Sequence, residues 1–293
     1  MKFKSVQEIA KIWGISERSV RNYCTQGRIY GAVLQGKTWK IPADAIKPDR
    51  AKKGASPLLL RLNQERERKI KGGIYHKIQI ELTYNSNHME GSHLTHDQTR
   101  YIYETNSMNA TDEIIKIDDI IETKNHFKCI DYVLEKATEP LNENLILKLH
   151  KILKTGTSDS ELDWFAVGAY KKLPNEVGGH ETTPPEQVSD ELKKLLAQYN
   201  DKKEKNLEDI IDFHVKFERI HPFQDGNGRV GRLIIFKECL NYGIVPFIIQ
   251  DDLKLFYYRG ISQWGKENGY LMDTCLTGQD RFVKYLDYYK IAY

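Results

Sequence analysis

Apolar residues recur along most of this chain at helical spacing. Ile74, Ile78 and Leu82 repeat every four residues, and Ile210, Ile211, Phe213, Phe217 and Ile220 fall on one face between Leu207 and Ile220. Val230, Leu233, Ile234 and Leu240 continue the pattern up to a stop at Asn241-Tyr242-Gly243. Asp118 to Leu134, Leu145 to Leu153 and Val188 to Tyr199 are amphipathic in the same period. The pattern predicts a mainly α fold. Pro222 disfavours helix at the residue before it, so the helix from Leu207 should end at His221. Asp225-Gly226-Asn227-Gly228 is turn chemistry. Residues 207–242 therefore read as helix, tight loop, helix.

The N-terminal stretch has a different pattern. Ser5 with Glu8 forms a capping box for a helix bearing Val6, Ile9, Ala10 and Trp13, which Gly14 breaks. Ser16 caps a second helix carrying Val20 and Tyr23, with Arg18, Arg21 and Asn22 on its other faces. Val33 to Pro42 reads as a hairpin turning at Gly36. Together these elements resemble the small winged helix–turn–helix domain of excisionases and MerR-type regulators. Ala51 to Pro57 has linker composition, and the run Glu65 to Lys69 reads as a solvated helix face. The expected organisation is a domain over 1–53, a linker and charged helix over 54–73, and a main domain over 74–293.

Charge follows that division. Residues 1–53 hold 12 Lys and Arg against 4 Asp and Glu, a net of +8, and the remainder carries −5. A basic face of this size suits DNA phosphates. Arg18, Arg21 and Asn22 are candidates for the major groove, and Lys37 and Lys40 for phosphate contacts from the hairpin. Half-site recognition makes a homodimer the expected form. No apolar run nears membrane-spanning length, and the start Met1-Lys2-Phe3-Lys4 lacks a signal-peptide core. Cys24, Cys129, Cys239 and Cys275 show no metal spacing and read as reduced thiols. A cytoplasmic protein without a membrane segment is expected. His126, His150 and His214 read as structural, with His214 placed to support His221.

The densest chemistry lies between His221 and Arg232. Gly226, Asn227 and Gly228 sit where N–H groups at a helix start lack internal partners and bind anions. Arg229 and Arg232 are three apart, so both can reach a phosphate chain from one face. Asp225 is a hard oxygen ligand suited to Mg²⁺ shared with phosphates. His221 can take a proton near neutral pH.

His221-Pro-Phe-Gln-Asp-Gly-Asn-Gly-Arg-Val-Gly-Arg232 resembles the Fic signature, His-Pro-Phe-x-Asp/Glu-Gly-Asn-Gly-Arg-x-x-Arg, at every fixed position. The resemblance runs from about Tyr75 to the C-terminus. It implies a helical bundle that moves AMP from ATP onto a Ser, Thr or Tyr hydroxyl of a target protein. His221 would deprotonate the hydroxyl, and Asp225 would hold Mg²⁺ on the α- and β-phosphates. Gly226, Asn227 and Gly228 would cradle the phosphates, and Arg229 and Arg232 would contact the β- and γ-phosphates. Val230 and Gly231 complete the implied nucleotide-binding stretch.

Three further segments extend the likeness. Val177-Gly178-Gly179-His180 resembles the Fic flap, a β-hairpin whose edge holds a target segment by main-chain pairing. Tyr257, Tyr258 and Asn268 fall where Fic proteins contact the adenosine. Ser86-Asn-His-Met-Glu90-Gly91 resembles the inhibitory motif, whose glutamate pairs with the second motif arginine, here Arg232. In some relatives that glutamate also helps remove AMP. Two other readings stay open. One is a Fic relative transferring another phosphate-containing group; in the Doc branch Lys replaces the second motif glycine, here Gly228. The other is a DNA-binding regulator whose Fic-like domain senses nucleotide.

Overall fold

The structure, a computed structural model, describes residues 3–25, 29, 31–36, 38–45, 47, 56–108 and 114–293. They fall into two compact units, Met1–Gly54 and Ala55–Tyr293.

The first unit runs β1 (Phe3–Lys4), α1 (Val6–Trp13), α2 (Glu17–Thr25), β2 (Val33–Gln35) and β3 (Thr38–Pro42). Ser5 and Glu8 close the capping box: Glu8 N–H donates to Ser5 Oγ at 3.3 Å and Ser5 N–H to Glu8 Oε2 at 2.8 Å. Gly14 ends α1 at φ +64°, where side chains are strained. Ser19 N–H donates to Ser16 Oγ at 3.1 Å and opens α2. The antiparallel sheet has the order β1-β3-β2, with Val33 opposite Lys40 and Phe3 opposite Pro42. Val6, Ile9, Ala10, Val20, Cys24, Ile29 and Ile41 form its core.

The second unit is helical. It contains α3 (Pro57–Glu67), α4 (Ile74–Met89), α5 (His96–Thr105), α6 (Ile117–Glu135) and α7 (Glu143–Lys154). A hairpin of β4 (Glu176–Val177) and β5 (His180–Glu181) precedes α8 (Pro185–Asp201), α9 (Leu207–Ile220), α10 (Asn227–Tyr242), α11 (Lys254–Gln263) and α12 (Gly269–Tyr288). Helix α10 is buried on every side. Val230, Leu233, Ile234 and Phe236 enter the main core, while Ile235 and Cys239 enter a second cluster with Met89, Ile211 and Leu271. Its two polar members in that region neutralise each other: Lys237 Nζ lies 2.7 Å from Glu238 Oε1, and Tyr199 donates to Glu238 at 2.7 Å.

One expectation fails in α3. Glu65, read as part of a solvated face, is buried. Its carboxylate accepts from Tyr75 N–H at 2.9 Å and from Arg61 Nε at 2.6 Å. It caps the start of α4 from a neighbouring helix, and a Cβ on Gly73 would come within 2.2 Å of it. Glu67, Arg68 and Lys69 are exposed as expected.

Candidate active site

Helix α9 ends where Pro222 forbids its continuation, and His221 takes the left-handed conformation at φ +51°. A non-glycine residue there is strained and must be held by its surroundings. His221 N–H donates to the Phe217 carbonyl at 3.0 Å. His221 Nδ1 lies 3.3 Å from the Glu218 carbonyl. A carbonyl only accepts, so Nδ1 carries the hydrogen and Nε2 keeps its lone pair. Burial pushes the His221 pKa down, the Glu218 carbonyl opposes this, and the Lys171 charge adds to it. The imidazole is therefore neutral and basic near pH 7.

The loop from Phe223 to Gly226 is fixed from two sides. Asn227 Nδ2 donates to the Phe223 carbonyl at 2.8 Å, and Phe223 N–H donates to Asn227 Oδ1 at 2.9 Å. Both ends of the Asn227 amide are thus used, and this residue can serve an anion through its backbone N–H alone. His150 stacks on Phe223 at 3.9 Å between centroids. Its Nδ1 accepts from Gly168 N–H at 3.0 Å, so its Nε2 donates to the Asp225 carbonyl at 3.2 Å. Burial holds His150 neutral, pushing its pKa down to about 3. Gly226 turns into α10 at φ +84°.

Asp225 and Arg229 belong to a network of buried charge. Arg229 Nη2 and Lys154 Nζ both bond to Asp225 Oδ2, at 2.8 and 2.7 Å. Glu122 on α6 joins Arg229 and Lys154, the latter at 2.6 Å, and Asp159 lies 3.2 Å from Lys154. Burial raises the Asp225 carboxyl, but Arg229 and Lys154 hold it well below the usual range. It stays ionised, and its side chain is 44% exposed. Both cations bear on one carboxylate oxygen, and the Gly226 N–H also bonds to the carboxylate. Among the described residues no group of three His, Cys, Asp or Glu could hold a metal alone. The ionised, partly exposed Asp225 carboxylate fits the mode in which one carboxylate shares Mg²⁺ with phosphates. Arg229, expected on the phosphates, is instead buried against Glu122 and Asp225.

Arg232 is held by the end of α4. Its Nε donates to Ser86 Oγ at 3.0 Å and its Nη2 to the Ser86 carbonyl at 2.9 Å. Glu90 caps α4, and its Oε1 accepts from Arg232 Nη2 at 2.6 Å. The same oxygen would lie 2.2 Å from a Cβ on Gly228. Glu90 therefore stands over the first turn of α10.

Other expected residues lie elsewhere. Val230 is a core residue, and Gly231 packs on α9, where a Cβ would come within 2.7 Å of Glu218 and His214. Tyr257 is buried with its hydroxyl 2.5 Å from His214 Nε2, so its ring is closed to a nucleotide. Tyr258 exposes its ring and donates to the Met89 carbonyl at 3.3 Å. Asn268 caps α12 and accepts from Gly265 N–H at 2.8 Å. Gly178 and Gly179 turn the hairpin at φ +58° and +77°, with Val177 opposite His180. In the first unit Arg18, Arg21, Asn22 and Lys40 are exposed, and Arg21 pairs with Glu17 at 2.7 Å. Lys37 lies outside the described residues. Sequence reasoning missed Glu122, Lys154 and Glu218. Glu122 lies 107 residues before Arg229, and no local pattern joins them.

A proton acceptor, an ionised carboxylate and the N-terminal N–H groups of a buried helix together suit a phosphate chain beside a reacting hydroxyl. Residues 140–238 match the model of the Fic/DOC family. Over these residues the chain is similar to the Fic/DOC family, and it has protein adenylyltransferase relatives at modest identity. Protein adenylyltransferase Fic of Nematostella vectensis is 27% identical over 187 residues, covering 61% of this chain and 42% of the relative. Protein adenylyltransferase fic-1 of Caenorhabditis elegans is 26% identical over 187 residues, covering 61% and 35%. The chain thus spans less than half the length of these curated relatives. A Fic-domain-containing signalling protein from Bacteroides thetaiotaomicron superposes with a TM-score of 0.59 at 26% identity, covering 78% of this chain and 90% of that one. Fic-1 of C. elegans shares the fold with a TM-score of 0.60 at 20% identity, over 80% and 72%. Among the described residues no helix is long and apolar enough to cross a membrane.

Proposed function

We propose that this chain is a protein adenylyltransferase, moving AMP from ATP to a Ser, Thr or Tyr hydroxyl of a target protein, and that Glu90 holds it off. The target oxygen attacks the α-phosphorus and forms a new P–O bond. The bond from that phosphorus to the α–β bridging oxygen breaks, and pyrophosphate leaves. The hydroxyl proton passes to His221 Nε2. The backbone N–H groups at the start of α10 cradle the phosphates, Arg229 and Lys154 aim Asp225, and Arg232 meets the terminal phosphate. Asp225 would hold Mg²⁺, which when bound would supply charge neutralisation on the phosphates. Tyr258 offers an exposed ring to the adenine side, and the flap edge from Val177 to His180 receives the target main chain.

The observation that carries this reading is the position of Glu90. Its carboxylate occupies Arg232 and the space over Gly228 at once. A phosphate reaching Arg232 must displace it or sit badly for in-line attack. The same carboxylate suits the reverse removal of AMP by aiding a water. The test is intact-mass analysis of Glu90→Gly after incubation with Mg·ATP, alone and with cell extract. An AMP adduct supports the proposal. A phosphate adduct supports transfer of another group, and no adduct favours a nucleotide-sensing regulator.

We also propose that residues 1–53 bind DNA in the manner of a winged helix–turn–helix. Helix α2 exposes Arg18, Arg21 and Asn22, and the hairpin exposes Lys40, within a segment of net charge +8. A dimer would match paired half-sites.

A further inference from the structure

The flap hairpin is fastened at its base to the loop that carries His221. Lys171 N–H donates to the Pro222 carbonyl at 2.9 Å, and Asn175 Nδ2 to the Phe223 carbonyl at 3.1 Å. Leu173 N–H donates to Gln224 Oε1 at 3.3 Å. The two legs are also tied to each other, Thr182 N–H reaching the Asn175 carbonyl at 3.2 Å and Thr182 Oγ1 the same atom at 2.9 Å.

At the centre of these ties is the Lys171 side chain. The residue is 3% exposed, and Nζ donates to Asn175 Oδ1 at 2.7 Å and Thr182 Oγ1 at 2.5 Å. Among the described residues its partners are neutral. Burial alone acts on its pKa, pushing it down to about 8. A buried ammonium without a counter-ion is costly, and an amide and hydroxyl repay only part of its lost hydration. Such a group persists where its hydrogen bonds fix something a neutral side chain would leave loose.

We propose that Lys171 is a positioning residue for the target protein. Its ammonium clamps the two legs of the flap at one spacing, while its backbone N–H sets the height of the hairpin against Pro222. A target segment paired to the flap edge then presents its hydroxyl to His221 in one register. This rests on the adenylyltransferase reading, but the clamp itself does not.

Two measurements test it. Hydrogen exchange on the full chain compares wild type, Lys171→Met and Lys171→Arg. In Lys171→Met the amides from Glu176 to Thr182 should exchange at least tenfold faster, those of α9 and α10 should be unchanged, and Lys171→Arg should restore protection. In the Glu90→Gly background, Lys171→Met should lower AMP labelling at least tenfold while calorimetric Mg·ATP affinity stays within twofold. Unchanged flap exchange, or parallel loss of Mg·ATP affinity, overturns the proposal. If Glu90→Gly itself makes no AMP adduct, the adenylyltransferase reading fails, and the exchange result alone decides whether Lys171 clamps the flap.

Discussion

The Glu90 carboxylate fills the space that a side chain on Gly228 would need. Its Oε1 would lie 2.2 Å from a Cβ there, closer than any non-bonded contact allows, and Arg232 Nη1 would lie 2.9 Å away. Gly228 is helical, with no positive φ to explain it. Its lack of a side chain is a matter of space. The room it leaves is shared by Arg232 and whatever anion Arg232 holds.

This gives a prediction that needs no substrate. Gly228→Ala should destabilise the chain by about 1–3 kcal/mol through overpacking against Glu90. In the Glu90→Gly background most of that cost should vanish, leaving the closer approach to Arg232. Urea denaturation of the four proteins forms a double-mutant cycle. An equal cost in both backgrounds would show that Glu90 does not occupy this space in solution.

Ser86 allows the support of Arg232 to be separated from the blockade proposed for Glu90. Ser86→Ala removes the Oγ that accepts from Arg232 Nε at 3.0 Å but leaves the Ser86 carbonyl and Glu90 in place. A buried donor losing its partner costs about 1–3 kcal/mol. Stability should fall, while AMP labelling should stay well below that of Glu90→Gly. Equal labelling by the two variants would place the inhibition in the geometry of Arg232 rather than in the Glu90 carboxylate.

The sequence carried what is local. The ends of α9 and α10, the Ser5–Glu8 capping box and the turn at Gly36 follow from neighbours a few residues apart, and the structure has them as expected. The proximity of Ser86, Glu90 and Arg232 was legible only through resemblance, since 142 residues separate Glu90 from Arg232. The charge network was not legible. Arg229 reads as a phosphate ligand from its spacing to Arg232, but Glu122 reaches it from α6 and turns it toward Asp225. Tyr257 and Tyr258 are adjacent and look equivalent in sequence. On a helix they point about 100° apart, so one enters the core and the other stays outside. Glu65 shows the same limit, since nothing in its charged run says that it caps α4.

Glu218 should leave a signature in the pH dependence of stability. Its Oε1 is buried without a hydrogen-bond partner among the described residues, near His214 and Gly231. Burial raises its pKa from 4.5 to about 8, Arg232 opposes the shift and Glu90 adds to it. Between these values the folded chain binds a proton that the unfolded chain does not. The stability this contributes is fully present below pH 4.5 and is lost as pH rises toward 8. Glu218→Gln removes the titration. Denaturation of both proteins from pH 5 to 9 should show wild type falling relative to the variant by up to about 1.4 kcal/mol per pH unit below pH 8. A constant difference across that range would mean that Glu218 is ionised in the folded chain.

The basic segment predicts salt-dependent binding to DNA with a measurable slope. Phosphate contacts release counter-ions, so the logarithm of affinity falls with the logarithm of salt in proportion to the number of contacts. Lys40→Ala should lower affinity about equally on unrelated duplexes and reduce the slope by about one. Arg18 and Asn22 are exposed on α2, the helix proposed to read base edges, so Arg18→Ala or Asn22→Ala should weaken a selected sequence more than a random one. Arg21 is tied to Glu17, so Glu17→Ala should free it and strengthen non-specific binding modestly. Mobility-shift titrations of the full chain at two or more salt concentrations, on a random-sequence duplex and on one enriched by selection, measure all three. Binding that is absent or insensitive to salt would leave this unit as a protein-docking module.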